Sequence, residues 1–279
     1  CGAREKEHIA RAALHRWEEP IISGERGSGT IFFCGCNLNC IFCQNYKINH
    51  SVMGIEADEE TLCRIMLDLQ HQGAHNINLV TPAPHVPLIA RTLPLARQTG
   101  LTIPVVYNTN AYENVQTLKM LEGLIDIYLP DFKYVSSLLA KRYSDAEDYF
   151  DVAAKAIAEM YRQVGNIKLD ENGMAASGVL IRHMVLPGCV DDTRRVLDYV
   201  SANYPKNVYI SIMSQYAPPK DDLPRPINRR ITKGEYDRAL DYAISKGFEN
   251  VFIQQRNSAD LSYTPDFDAD VIFDPIKRA

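Results

Sequence analysis

No apolar run in this 279-residue chain approaches the roughly 20 residues that a membrane-spanning helix needs, so no membrane partner is expected. Dense runs of lysine and arginine are missing too, and the formal net charge is −5. Strong binding to phosphate backbones needs a basic stripe, so nucleic acid is not an expected partner either. No domain linker, internal repeat or low-complexity tract divides the chain, and no signal peptide opens it. The expectation is one domain over 1–279, with its core at about 15–255 and 256–279 as a surface tail.

Cysteine is sparse outside one short stretch. Seven are present, at 1, 34, 36, 40, 43, 63 and 189. Four of them crowd into ten residues, which suits metal binding better than a disulfide framework. Metal-binding thiolates must stay reduced, so the expected compartment is a reducing cytoplasm. Cys63 falls in a predicted helix as a small apolar residue, and Cys189 follows Pro187-Gly188 as a semi-buried or exposed thiol.

A strand–helix rhythm fills the rest. Short apolar runs at 30–34, 76–80, 103–107, 125–129, 179–185, 208–213 and 251–254 read as strands. Helical spacing marks 58–71, with Asp58 as N-cap, and 86–98, 113–121, 136–143, 148–164 and 193–203. Thr232 with Glu235 forms a capping box for a helix to about Lys246. The polar stretches 165–177 and 220–230 read as surface loops. Strands alternating with helices predict an α/β fold with a parallel sheet, and six or so repeats predict an open or partial (β/α)6 barrel.

Cys36, Cys40 and Cys43 stand in a C-x3-C-x2-C spacing. Three such thiolates can hold three irons of a cubane. No fourth cysteine follows closely, so one iron would keep an open position, as metals that do chemistry require. Structural zinc wants four ligands. Cys34 is a candidate fourth on the approach strand, so a zinc site or a plain electron-transfer cluster stays open as an alternative.

Polar residues cluster just after the predicted strands, where sites of barrel folds lie: Thr81, Asn108 to Asn110, Asp131, Lys133, Gln215 and Tyr216. Arg182 sits inside an apolar strand and must find acceptors. Neighbouring His183 points to the opposite face, in a structural role. His85 begins a helix, with a site role as the alternative. Trp17 and Glu18-Glu19 read as core packing and a polar edge.

The cysteine spacing, with Phe42 before the last cysteine, resembles the radical S-adenosylmethionine (SAM) signature. Residues 27–33, 36–45, 129–133 and 181–188 are similar to those of glycyl-radical-enzyme activating enzymes, and most closely to the PflX-type proteins named after pyruvate formate-lyase activating enzyme. The resemblance implies a [4Fe-4S] cluster on Cys36, Cys40 and Cys43, with SAM chelating the open iron and being cleaved reductively to a 5′-deoxyadenosyl radical. It implies Phe42 near the adenine, Asp131 and Lys133 near SAM and substrate, and Arg182 as a matching family arginine. Asn108-Thr109-Asn110 matches an Asp-Thr-Asn whose first residue helps hold a monovalent cation; asparagine there weakens that site. Val80-Thr81-Pro82 replaces a Gly-Gly-Glu, so the Thr81 hydroxyl or backbone carbonyls take over from the lost carboxylate. Gln215-Tyr216, read from its place after a strand, is a further candidate to touch SAM or substrate. Implied partners are an electron donor such as flavodoxin or ferredoxin, and a glycyl radical enzyme or other protein substrate. Direct action on a small molecule or peptide is the alternative.

Overall fold

The structure, a computed structural model, describes residues 7–49, 53–254 and 267. The chain opens with β1 (His8–His15), α1 (Pro20–Ser23), β2 (Ser28–Phe33), α2 (Tyr46–Asn49) and β3 (Ile55–Glu56). Strands and helices then alternate through α3 (Glu59–His71), β4 (Ile77–Val80), α4 (Val86–Gln98), β5 (Val105–Thr109), α5 (Val115–Lys119) and β6 (Ile127–Pro130). Two helices follow, α6 (Ser137–Ser144) and α7 (Tyr149–Val164), then β7 (Lys168–Leu169), β8 (Ala175–Met184), α8 (Val190–Asn203), β9 (Tyr209–Met213), α9 (Lys233–Ser245) and β10 (Asn250–Ile253).

The sheet order is β10-β9-β8-β6-β5-β4-β2-β1-β3. From β2 to β10 every neighbouring pair is parallel, and six crossovers join these seven strands among the described residues. β1 and β3 add an antiparallel edge, and among the described residues the two ends of the sheet do not pair. The fold is an α/β partial barrel, as the strand–helix rhythm predicts.

Local signals set many element ends. Asp58 Oδ1 accepts from Thr61 N at 2.9 Å at the start of α3. The Thr232–Glu235 capping box opens α9. Helix 113–121 shrinks to α5, capped by Asn114. β1 was not foreseen. Its Ala-rich sequence carries no strand pattern, and it is held by pairing with β2 from Ile9↔Phe33 to His15↔Ser28. The expected loop 165–177 holds β7, which folds back on a β8 that begins at Ala175. The expected tail at 256–279 lies outside the described residues, Phe267 excepted.

Two apolar layers flank the sheet. The outer one joins Ile31, Leu79, Tyr107 and Ile181 to α3, α4, α7 and α8. The inner one, at the barrel floor, packs Ile22 of α1 against Val106, Ile127, Leu129 and Leu180. Because side chains alternate along a strand, the next inward positions are Asn108, Asp131 and Arg182, so a polar layer lies on top of the apolar floor.

Candidate functional site

Above that floor lies a cavity of about 520 Å³, lined by Cys36, Cys40 and Cys43 at one end and by residues 15–20 at the other. β2 delivers the cysteine loop. Gly35, at φ +92°, makes the turn after Phe33, and its N–H donates to Ile48 O at 3.0 Å. Cys34 turns away from the cavity: it is buried with Ala10, Phe32 and Ile48, and its thiol donates to Met53 O at 3.2 Å. Cys63 is buried as expected; Cys189 is buried too, because the turn after β8 packs it into the outer core rather than leaving it exposed.

Each of the three cavity thiols has a polar partner. Asn110 Nδ2 lies 3.4 Å from Cys36 Sγ, and Leu38 N 3.5 Å from it. Asn49 Nδ2 donates to Cys43 Sγ at 2.9 Å. Ser144 Oγ is 3.0 Å from Cys40 Sγ and 2.9 Å from the Tyr134 hydroxyl. A Cys40 thiolate can only accept, so it would fix Ser144 as its donor and Tyr134 as the donor to Ser144. Burial pushes all three thiols up, Cys43 to about 12. They would ionise only with positive charge at the sulfurs. Among the described residues no three Cys, His, Asp or Glu side chains converge to hold a single ion. The fit to an iron–sulfur cluster rests on the donor set: three thiols in one short loop, each supplied with an N–H or O–H group.

The polar layer is one bonded network. Arg182 Nε donates to Asp131 Oδ1 at 2.9 Å, Nη1 to Glu18 Oε2 at 3.0 Å and Nη2 to Asn108 Oδ1 at 2.6 Å. Lys133 Nζ takes the other Asp131 oxygen at 2.7 Å. Glu18 Oε1 accepts from Asn78 at 3.1 Å and Asn108 at 3.3 Å. Burial opposes the Asp131 carboxylate, but Arg182 and Lys133 outweigh it and hold the group below its ordinary value.

The other expected site residues distribute as follows. Phe42 lines the cavity, 5% exposed, with its ring edge-on to Tyr216 at 6.0 Å. Thr81 lines it too, in the left-handed region at φ 57°, and its N–H donates to Asn108 O at 3.1 Å. That conformation is strained for a β-branched residue. Thr109 contributes to the wall, but its hydroxyl bonds Glu113. Gln215 lines the cavity, and its Oε1 accepts from Gln254 at 3.0 Å. The Tyr216 hydroxyl instead reaches Ile227 O. His85 sits between Glu7 and Cys34 O, stacked on Phe33 at 4.7 Å, which is a packing role. His183 faces the outer side, on Phe132 O and Thr193.

Three expectations need correction or addition. Glu18 and Glu19 do not form a polar edge; the segment after β1 folds under the barrel and carries both into its interior. Trp17 is 61% exposed at the cavity rim rather than packed in the core. Asn49 and Ser144 carried no sequence signal, since nothing local ties them to the cysteines.

The comparisons with known proteins agree with this architecture. The model of the radical SAM superfamily matches residues 30–200. The uncharacterized protein MJ0674 of Methanocaldococcus jannaschii is 33% identical over 254 residues, 87% of this chain and 68% of its own length. Among solved structures, Streptococcus suis SuiB bound to S-adenosylmethionine superposes with a TM-score of 0.55 at 13% identity, covering 79% of this chain and 48% of SuiB. The chain thus spans about half the length of SuiB. Methylornithine synthase (PylB) gives a TM-score of 0.53 at 14% identity, over 90% of this chain and 77% of the enzyme. Both likenesses concern the fold. Taken with the family match through the cysteine loop and five of the parallel strands, they leave a plain conclusion: the chain belongs to the radical SAM superfamily.

Proposed function

We propose that this chain is a radical SAM enzyme that holds a [4Fe-4S] cluster on Cys36, Cys40 and Cys43 and binds SAM in the adjoining cavity. The observation that carries the reading is the meeting of three donor-supplied thiols with a charged layer in one cavity. Bound there, the cluster would supply the electron that cleaves SAM to methionine and a 5′-deoxyadenosyl radical. The chain's own residues bind and orient. Lys133 offers an ammonium group to the SAM carboxylate, Phe42 an apolar ring to the adenine, and Thr81 and Gln215 polar atoms to the remainder. Arg182, already bonded to Asp131, Glu18 and Asn108, keeps that layer fixed.

The finer reading is an activating-enzyme-like protein that installs a glycyl radical on a partner, served by a flavodoxin or ferredoxin. The similarity at residues 27–33, 36–45, 129–133 and 181–188 supports it, as does the unclosed barrel, which leaves room for a partner loop. Direct action on a small molecule or peptide is the second reading, favoured by the polar groups gathered at the cavity floor.

Anaerobic reconstitution tests the first level. About four irons per chain are expected. Cys36→Ala, Cys40→Ala and Cys43→Ala should lose them, while alanine at Cys34, Cys63 or Cys189 should not. Dithionite with SAM should release 5′-deoxyadenosine and methionine. Full iron retention in Cys40→Ala, or no nucleoside product from an intact cluster, overturns the proposal. A stable radical signal on a glycyl-loop protein would support the activating role, and chemical change of a small substrate the second reading.

A further inference from the structure

The cavity floor holds buried polar atoms without a close hydrogen-bond partner among the described residues. Glu19 is 7% exposed and Ser211 is fully buried, and both line the cavity. Neither Glu19 Oε2 nor Ser211 Oγ has a close hydrogen-bond partner, and the Ser211 hydroxyl faces the Glu19 carboxyl near enough to favour its charged form. Such atoms are costly to bury unless something completes them.

Charge makes the demand more specific. Three carboxyls share this layer: Glu18, Glu19 and Asp131. Arg182 bonds Glu18 and Asp131, and Lys133 bonds Asp131. Among the described residues no cation bonds Glu19. Arg182 lies near enough to act on it, but burial prevails and raises its affinity for a proton. A charged Glu19 therefore calls for one more cation with hydrogen-bond donors.

The walls beside it say what that cation is attached to. Met213 stands two residues beyond Ser211 on β9, and Met184 two beyond Arg182 on β8, so each shares its neighbour's face one step nearer the cysteine end. Both line the cavity, as does Phe252. α1 closes the floor below through Ile22. A polar base under thioether walls suits a positively charged head on a flexible aliphatic stem.

We propose that Glu19 and Ser211 form a subsite for the alkylammonium group of the substrate, whose carbon stem runs between Met184 and Met213 toward the cysteine loop. An ammonium group brings the missing charge and three donors, two of which serve Glu19 Oε2 and Ser211 Oγ. This rests on the radical SAM reading for what is then done to the substrate, but the binding itself does not depend on it.

The test is titration of anaerobically reconstituted protein, saturated with SAM, with n-butylammonium and with its neutral counterpart n-butanol. Calorimetry reads binding, and the fluorescence of Trp17, the chain's single tryptophan and a residue of the cavity rim, reads its location. n-Butylammonium should bind about tenfold or more tightly than n-butanol, as a charge-assisted contact implies. Glu19→Gln should remove that preference, and Ser211→Ala should weaken it. Equal binding of the two probes, an unchanged preference in Glu19→Gln, or displacement of SAM by n-butylammonium would overturn the subsite. The last outcome would assign Glu19 to the cofactor's own ammonium. If Glu19→Gln does not fold, the two-probe comparison in the natural chain still decides. Repeating the titration without SAM decides it even where SAM fails to bind, which would count against the function alone.

Discussion

Arg182 on β8 donates to Glu18, 164 residues earlier in the chain, at 3.0 Å inside the barrel. This bond ties the segment beneath the sheet to the strand that carries the polar layer. Both side chains are nearly buried, at 11% and 12% exposure, so the pair is a fixed part of the interior.

Removing one partner of such a pair strands the other charge. Arg182→Met should lower unfolding stability by about 3–5 kcal/mol. The double variant Glu18→Gln/Arg182→Met should lose less than the sum of the two single losses. Denaturant unfolding of the four proteins measures this cycle. Additive losses would show that the two residues act independently.

Glu113 gives stability a pH dependence of known sign. Burial pushes its carboxyl from 4.5 up to about 7, against the bonds from Thr109 and Tyr107. Its contribution is fully present below 4.5, where folded and unfolded chains both hold the proton. As pH rises toward 7 the unfolded chain releases the proton first, and that contribution is lost. Glu113→Gln should therefore gain stability relative to the natural chain across this window. Unfolding midpoints at several pH values check it; a difference independent of pH refutes it.

The donors at the sulfurs bear on electron affinity. An N–H or O–H bond to a cluster thiolate stabilises the reduced, more negative state. Asn49→Leu and Ser144→Ala should each shift the midpoint potential of the reconstituted protein to more negative values. Redox titration followed by electron paramagnetic resonance reads the shift. Natural potentials in both variants would confine these residues to shaping the loop.

Ile22 is fully buried in the floor cluster. Ile22→Ala leaves a cavity there and should cost about 2–5 kcal/mol. Urea unfolding measures it. A loss well under 1 kcal/mol would mean that α1 collapses onto the sheet without needing this side chain.

The sequence by itself determined what short-range chemistry controls. The spacing of Cys36, Cys40 and Cys43 is a property of eight consecutive residues, and the proposed cluster would depend on that spacing. The order of the parallel strands from β2 onward and of their main helices followed from side-chain period, and Asp58 and Thr232–Glu235 marked helix starts because caps act within one turn. The same alternation of faces that separates Arg182 from His183 was legible from adjacency alone. Tertiary structure decided the rest. β1 exists because β2 pairs with it. Ser144 meets Cys40 across 104 residues, and Asn49 meets Cys43 only because α2 turns back on the loop. Glu18 and Glu19 look like a solvated edge in one dimension. They became interior because the chain passes under an open barrel, and an arginine on a distant strand supplies the positive charge that lets the first of them stay there.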